Sequence, residues 1–305
     1  MTFFTGKLID CTALDEQGIE AGRGLCLRDI DPAIDQERLK DHIHSRAFRQ
    51  DPQIINKKLQ DEIQEALDRH CDSIVMTISW SILFPRGDEE YPNEEGIAIY
   101  QELFETLSKH DIEPIVILCQ SLMPLDLALS NQGWSSRQTI DTYLNFAYTC
   151  FSRFKDLVHY WICQADPCSI TSDPFVNAGI LNAQTKQCRK ACHYRRLAMV
   201  YTKLLLEKVD SAAKLGLQID HYDPSSAYLV HDDRGPAYPL ENFVEPFDID
   251  LLKEEAIDFV FLNDASCSID LDTLYRVYQK PLLLVGKPKE NVRHFVIGIV
   301  SKKVQ

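Results

Sequence analysis

Short apolar runs alternate with amphipathic segments along most of the chain, and this alternation is the feature that most limits how it can fold. A buried parallel strand followed by a crossover helix produces such a pattern. Eight runs suffice to close a barrel, so we predict an α/β fold of the (β/α)8 TIM-barrel type, somewhat reduced and built on parallel strands. The predicted strands are Phe3 to Ile9, Ser73 to Ser79, Pro114 to Cys119, Leu157 to Cys163, Leu217 to His221, Asp258 to Leu262, Pro281 to Val285 and His294 to Val300.

The alternative is an open doubly wound sheet, which shows the same alternation. Such sheets often begin with a Gly-rich turn that binds phosphate, but Gly22 and Gly24 do not match G-x-G-x-x-G, and no G-x-x-x-x-G-K-[ST] motif occurs. Apolar periodicity also predicts helices over Ile55 to Arg69 and Glu94 to Lys109. In a barrel, functional residues lie at the carboxyl ends of the strands, so the residues after each apolar run are the candidates.

Length and charge limit the classes of protein. A chain of 305 residues without a linker-like tract predicts a single domain over residues 1–305. A net charge of -14 repels phosphate backbones and anionic lipid, so neither nucleic acid nor a membrane surface is expected as a partner. The opening MTFFTGKLID lacks a basic segment followed by an apolar run, so a cytoplasmic location is expected. No cofactor is expected; a protein partner or a homo-oligomer remains open.

The chain contains ten cysteines. Cys119 and Cys163 end apolar runs, where a thiol behaves as a small hydrophobe, so we predict reduced and packed thiols. The alternative is a zinc site at Cys188, Cys192 and His193. The two cysteines are four residues apart on a predicted helix, whereas Cys-x-x-Cys ligands lie on a turn, so packing is favoured and no metal is expected.

Three segments share long motifs with a known family. SIVMTISWSILFPRGDEEYPNEEGIAIYQELFETLSKHDIEPIVIL is similar to a second-strand region of the form S-[IL]-[AS]-W-x-R-[IL]-x-P-x-G with its following helix and third strand. NQGWSSRQTIDTYLNFAYTCFSRFKDLVHYWIC resembles a G-G-W-x-N-x-x-x-[IV] helix and fourth strand, and IDLDTLYRVYQKPLLLV resembles the run into a seventh strand. Together they resemble glycoside hydrolase family 1, and LMPLDL is similar to the D-M-P-L-H-L of its 6-phospho-β-glucosidases. The resemblance runs from about Phe3 to about Val285 and implies a carbohydrate or sugar-phosphate ligand.

The resemblance also implies two catalytic carboxylates about 5 Å apart, an acid/base and a nucleophile. The acid/base motif T-F-N-E-P reads CQADP here, which places Asp166 at the acid/base position and Ala165 at the asparagine. The nucleophile motif I-x-E-N-G reads LVGKP, which places Gly286 at the nucleophile and Lys287 after it. Glycine carries no nucleophilic oxygen, so we expect the family's hydrolytic chemistry to be lost.

The positions that hold the sugar in the family have changed as well. Ala13 stands at the sugar-binding glutamine, Gln120 replaces a histidine, and Val75 replaces the arginine that supports the nucleophile. Asp264 and Ala265 replace an aromatic pair after Asn263. Trp80 is retained and could equally stack on a sugar or pack in the core. The candidate ligand-binding residues are Trp80, Gln120, Gln164, Asn263 and Asp264.

Two functions follow from these observations. The first is a non-hydrolytic pseudoenzyme with a sugar-binding, regulatory or partner-binding role. The second is an active hydrolase of glycosides or sugar phosphates that uses other residues at the barrel mouth, for which Asp220, His221 and Lys287 are the candidates. The family continues beyond the segment aligned with HFVIGIVSKKVQ, so a shortened form of the family is expected.

Overall fold

Eight strands form one closed barrel in which neighbours in sequence are neighbours in the sheet. The computed structural model describes residues 3–8, 22–29, 61–118, 123–163, 170, 173–181, 184–219, 244–252, 256–262, 278–285 and 294–300. The strands are β1 (Phe3–Leu8), β2 (Ser73–Ile78), β3 (Glu113–Leu118), β4 (Tyr160–Cys163), β5 (Lys214–Ile219), β6 (Phe259–Leu262), β7 (Leu282–Val285) and β8 (His294–Val300).

Helices pack around the barrel. Glu94 begins the third helix and Lys109 ends it, as predicted, and these charges complement the helix dipole at each end. The predicted helix Ile55 to Arg69 is described over residues 61–68. The helices are α1 (61–68), α2 (Trp80–Leu83), α3 (Glu94–Lys109), α4 (Leu125–Asn131), α5 (Gln138–Arg153), α6 (Pro174–Ala178), α7 (Thr185–Val209) and α8 (Pro246–Leu251), with 3-10 turns at Leu27–Asp29 and Gly133–Ser135.

The first seven strands pair in parallel, and each overlaps its predicted range, with ends that differ by up to three residues in β4 and β5. All six residues of β2 are buried, which explains why the strand is a continuous apolar run instead of an alternating one. The predicted α/β barrel is therefore confirmed.

The direction of β8 was predicted wrongly. This strand pairs antiparallel with both β7 and β1, with Val285 opposite Ile297 and Phe3 opposite Gly298. The connection from β7 to β8 comprises only residues 286–293. A parallel connection needs a crossover of about a dozen or more residues, so a connection this short returns the chain antiparallel. The barrel thus closes with a hairpin instead of a β/α unit.

Side chains inside the barrel form a hydrophobic cluster separate from the larger core between sheet and helices. Gly216 faces this interior, where a Cβ would come within 2.3 Å of the Phe259 ring, so the position has no room for a larger residue. Residues at alternate positions of β2 to β7 therefore fill the interior and leave the others to pack against the helices. The interior cluster comprises Val75, Ile115, Ile117, Ile162, Phe259, Phe261 and Leu283.

Most cysteines in the described ranges are buried among hydrophobic side chains, as predicted for packed thiols. Cys188 is half-buried, and Trp134 and Trp161 also lie in the core. In the part of the chain that the structure covers, no helix is long and apolar enough to cross a membrane. The buried cysteines are Cys26, Cys71, Cys150, Cys163 and Cys192.

Candidate functional site

The candidate site is the barrel mouth, where β2 to β7 end. Of the predicted site residues, the structure describes Trp80 and Val75. The others lie outside the described residues, so their roles stay predictions. They are Ala13, Gln120, Gln164, Ala165, Asp166, Asp220, His221, Asn263, Asp264, Gly286 and Lys287.

The turn after β2 is held by hydrogen bonds on several sides. The Ser79 backbone N–H donates to the Tyr100 hydroxyl at 2.8 Å, and the Ser79 and Ser81 hydroxyls lie 3.1 Å apart. The Ser81 carbonyl accepts from the Gly24 N–H at 3.0 Å. Both serines are buried. These hydrogen bonds fix the turn against α3 and the segment 22–29, and they use the polar groups of both serines within the protein.

Trp80 follows Ser79 and lies in the core. Its side chain is 0% exposed. The ring stacks on Phe146 with centroids 5.5 Å apart and meets Tyr143 edge-on at 5.6 Å. A ring without exposed surface cannot stack on a sugar in this conformation, so its burial favours core packing over ligand binding.

Val75 lies inside the barrel, in the interior hydrophobic cluster, and is 1% exposed. It stands where the resemblance places an arginine that supports the nucleophile. The next inward positions toward the mouth are polar but uncharged, Thr77 on β2 and Gln218 on β5. Among the described residues, the interior below the mouth is therefore filled by neutral side chains.

Residues 22–29 bind across the start of α4. The Leu27 N–H donates to the Met123 carbonyl at 3.2 Å, and the Leu125 N–H donates to the Leu25 carbonyl at 2.8 Å. Within this segment, Arg23 and Asp29 form a salt bridge of 2.9 Å, and both side chains are buried. Sequence reasoning missed the segment 22–29, because Arg23 and Asp29 do not follow any predicted strand.

The largest charged cluster in the described structure lies between helices. Arg137, just before α5, donates to both carboxylate oxygens of Asp248 on α8, at 2.9 and 2.7 Å. The His193 Nε2 on α7 lies 3.0 Å from Asp248 Oδ2. Sequence reasoning grouped His193 with Cys188 and Cys192 instead. Among the residues covered by the structure, no group of three or more His, Cys, Asp or Glu is arranged to hold a metal ion.

The surroundings of these groups determine their charges. Burial raises the pKa of Asp248, but the hydrogen bonds from Arg137 and His193 outweigh it and bring that pKa to about 2. Burial lowers the pKa of His193, and the attraction of Asp248 only partly offsets this effect. At neutral pH the cluster is therefore an Arg–Asp ion pair with a neutral histidine. An ionised carboxylate can only accept hydrogen bonds, so His193 Nε2 carries the ring hydrogen and donates the hydrogen bond to Asp248.

Comparison with known proteins identifies the barrel. The family model for "Glycosyl hydrolase family 1" matches residues 21–226. The aryl-phospho-beta-D-glucosidase BglA of Bacillus subtilis is 29% identical over 197 residues, which cover 62% of this chain and 38% of the relative. The 6-phospho-beta-glucosidase of Clostridium longisporum is 27% identical over 209 residues, which cover 66% and 43%. The chain thus spans less than half the length of these curated relatives.

Solved structures agree on the fold. The GH1 beta-glucosidase from Exiguobacterium antarcticum B7 superposes with a TM-score of 0.64 at 18% identity, covering 99% of this chain and 70% of that one. The beta-glucosidase from Thermotoga maritima in complex with deoxynojirimycin gives a TM-score of 0.65 at 17% identity, covering 99% and 69%. Because the family model matches more than half of the 305 residues, the chain belongs to glycosyl hydrolase family 1.

Proposed function

We propose that this protein is a non-hydrolytic member of its family, in which the barrel serves as a carbohydrate- or sugar-phosphate-binding module with a regulatory or partner-binding role. The observation that supports this proposal is Val75, buried in a hydrophobic barrel interior at the position of the arginine that supports the nucleophile in the family. Gly286 at the nucleophile position points in the same direction.

The physical argument concerns a carboxylate at the end of β7. A buried carboxylate stays ionised only if cations or hydrogen-bond donors compensate for the water it loses. Val75 and the hydrophobic side chains clustered with it can do neither, and Thr77 and Gln218, the polar inward side chains nearer the mouth, carry no positive charge. A nucleophile at this end of the barrel would therefore lack the support that the retaining reaction requires.

The names of the curated relatives supply the ligand class for this proposal. They are aryl-phospho-β-glucosidases and 6-phospho-β-glucosidases, so aryl β-glucosides, β-glucosides and their 6-phosphates are the compounds to test. A single domain over residues 1–305 and a cytoplasmic location belong to the same proposal.

The first experiment measures hydrolysis and binding together. We expect turnover of p-nitrophenyl β-glucoside and of its 6-phosphate to stay at background in the purified protein and in Asp166→Asn. At a ligand concentration about 100 times Kd, binding should stabilise the fold by about 2.7 kcal/mol and raise Tm. Turnover that disappears in Asp166→Asn would contradict the proposal. Turnover that survives in Asp166→Asn but disappears in His221→Gln would favour the alternative hydrolase.

The second experiment restores both carboxylates with Asp166→Glu and Gly286→Glu. We expect little or no activity, because Ala13, Gln120 and Val75 would still leave the sugar and the new nucleophile unsupported, and misplacement by about 1 Å costs on the order of a hundredfold. Each single variant is the control for folding. Robust hydrolysis with an unchanged Tm would show instead that the pocket is an intact glycosidase site.

A further inference from the structure

The carboxylate of Asp248 is the point at which three helices meet. Asp248 is the third residue of α8 and binds Arg137 beside α5 and His193 on α7. Its side chain and that of His193 are both 0% exposed. In α8 itself, only Asp248 and Leu251 are buried, and Phe247 is exposed. A polar contact therefore provides much of the attachment of this helix.

The carboxylate of Asp248 is held by several hydrogen bonds at once. Its Oδ2 accepts hydrogen bonds from the Glu245 backbone N–H, from Arg137 and from His193, each at 2.9 to 3.0 Å. The Glu245 bond ties the carboxylate to the start of α8, so the same group both caps the helix and attaches it to its neighbours. Loss of one donor would therefore disturb both the N-terminal cap of α8 and the contact of α8 with its neighbouring helices.

The other charges that face His193 disfavour its protonation. Arg137 approaches from α5 and Arg196 from α7, and both are cations; Tyr194 lies beside the imidazole with ring centroids 5.6 Å apart. On α8, Asp248 is the anion in contact, and Glu245 lies 3.7 Å from Arg137. A second proton on His193 would place a cation on a fully buried imidazole that already faces Arg137 and Arg196.

We propose that His193, Asp248 and Arg137 form an acid-sensitive clamp that holds α8 against α5 and α7 at neutral pH and releases it on acidification. Release exposes His193 to water, where the imidazole takes up a proton at its ordinary pKa of about 6.5. The docked state binds this proton less well than the released state, so docking is fully stable above that pKa and weakens as pH falls through it. The clamp is independent of the proposed ligand binding.

Hydrogen exchange in the full chain tests the clamp. The protection factors of the amides of residues 247–252, corrected for intrinsic rates, should fall by up to about tenfold between pH 7.5 and 5.5. Tenfold is the limit because pH 5.5 lies one unit below the ordinary histidine pKa. Helix α3 serves as the internal reference and should not change. His193→Gln keeps an N–H donor to Asp248 but cannot titrate, so the pH dependence should disappear. His159 is exposed, lies just before β4 and is 3.1 Å from Glu113, so His159→Gln should retain the pH dependence.

The clamp is overturned by less than a twofold change of α8 protection in the wild type, or by an undiminished pH dependence in His193→Gln. If His193→Gln does not fold, Asp248→Asn replaces it. That variant keeps the side-chain shape but removes the charge, so α8 should be poorly protected at both pH values. Wild-type protection and pH dependence in Asp248→Asn would equally refute the proposal.

Discussion

The barrel interior and the contact between α5, α7 and α8 differ in the charge of the side chains that they bury. Around Val75 the described interior is filled by uncharged side chains, most of them aliphatic or aromatic. Between the helices, Asp248 and His193 are fully buried with Arg137 beside them. In the same layer, Lys203 on α7 binds Asp258 at 2.7 Å, and that carboxylate accepts the Leu215 N–H at 2.8 Å.

The difference shows what buried charge does in this molecule. Removing an ion from water is costly, and close partners must offset that cost. The charges between the helices have such partners and fix the positions of helices against the barrel. A glycosidase needs its charges at the strand ends instead, where they meet the substrate. In the helical layer the buried charges hold helices in place, and at the mouth the buried Arg23–Asp29 pair is likewise satisfied within its own segment.

The largest expected effect comes from placing a cation in the interior. Val75→Arg should lower the free energy of unfolding by about 3 kcal/mol more than Val75→Met, because a charge without a partner is added to the cost of overpacking. Urea denaturation of both variants measures the difference. Equal stability would mean that the interior can solvate a charge, and the contrast between the two regions would fail.

Removing the central carboxylate from the helical layer should cost nearly as much. Asp248→Ala leaves Arg137 and His193 without their acceptor and should destabilise the protein by about 3 kcal/mol. The matched control is Asp126→Ala, since Asp126 is exposed and lies 3.5 Å from an exposed Arg86. That variant should change stability by less than about 0.5 kcal/mol. Equal losses in the two variants would show that the Asp248 contacts are no stronger than surface pairs.

Acid should remove the contribution of Asp248 over a defined range. Its folded-state pKa lies below the ordinary 3.8, at about 2, so the part of its contribution that depends on its own ionisation is complete above 3.8 and is lost as pH falls toward 2. The stability difference between wild type and Asp248→Asn should therefore shrink by on the order of 1–2 kcal/mol over this range. A difference that stays constant with pH would indicate that folding does not change the pKa of this carboxyl.

The smallest effect is expected at the surface. Arg153 pairs with Glu94 across α5 and α3, but both side chains are largely exposed. Arg153→Ala should cost less than about 0.5 kcal/mol, because water and salt screen the pair. Thermal unfolding at low and high salt checks this. A loss comparable to that of Asp248→Ala would mean that burial does not separate the two kinds of ion pair.

The sequence predicted the strands well because β2 to β7 are buried on both faces and therefore form continuous apolar runs. It predicted α3 to the residue, since the apolar positions from Ile97 to Leu107 follow the helical period. The direction of β8 could not be read from its composition, because an apolar strand has the same pattern in either direction. The length of the connection before it was the available signal.

The helical network was missed for a different reason. Arg137 and Asp248 are 111 positions apart, and His193 lies 55 from Asp248, so no local pattern links them. Inspection of strand ends directs attention to the mouth, whereas these residues belong to helices. One signal was available: a histidine on the long predicted helix before β5 is expected to have a partner when buried. At the mouth, Trp80 shows that a motif residue can be retained for packing.

The antiparallel last strand also affects how the barrel folds. Pairing of β1 with β8 sets Phe3 opposite Gly298, whereas pairing of β7 with β8 joins positions as close as Val285 and Ile297. Closing the longer loop carries the greater loss of chain entropy, and contacts distant in sequence form slowly. The hairpin can therefore form early as a local unit, and the seam between the first and last strands should close late. Mutations in β1 should then accelerate unfolding more than they slow folding.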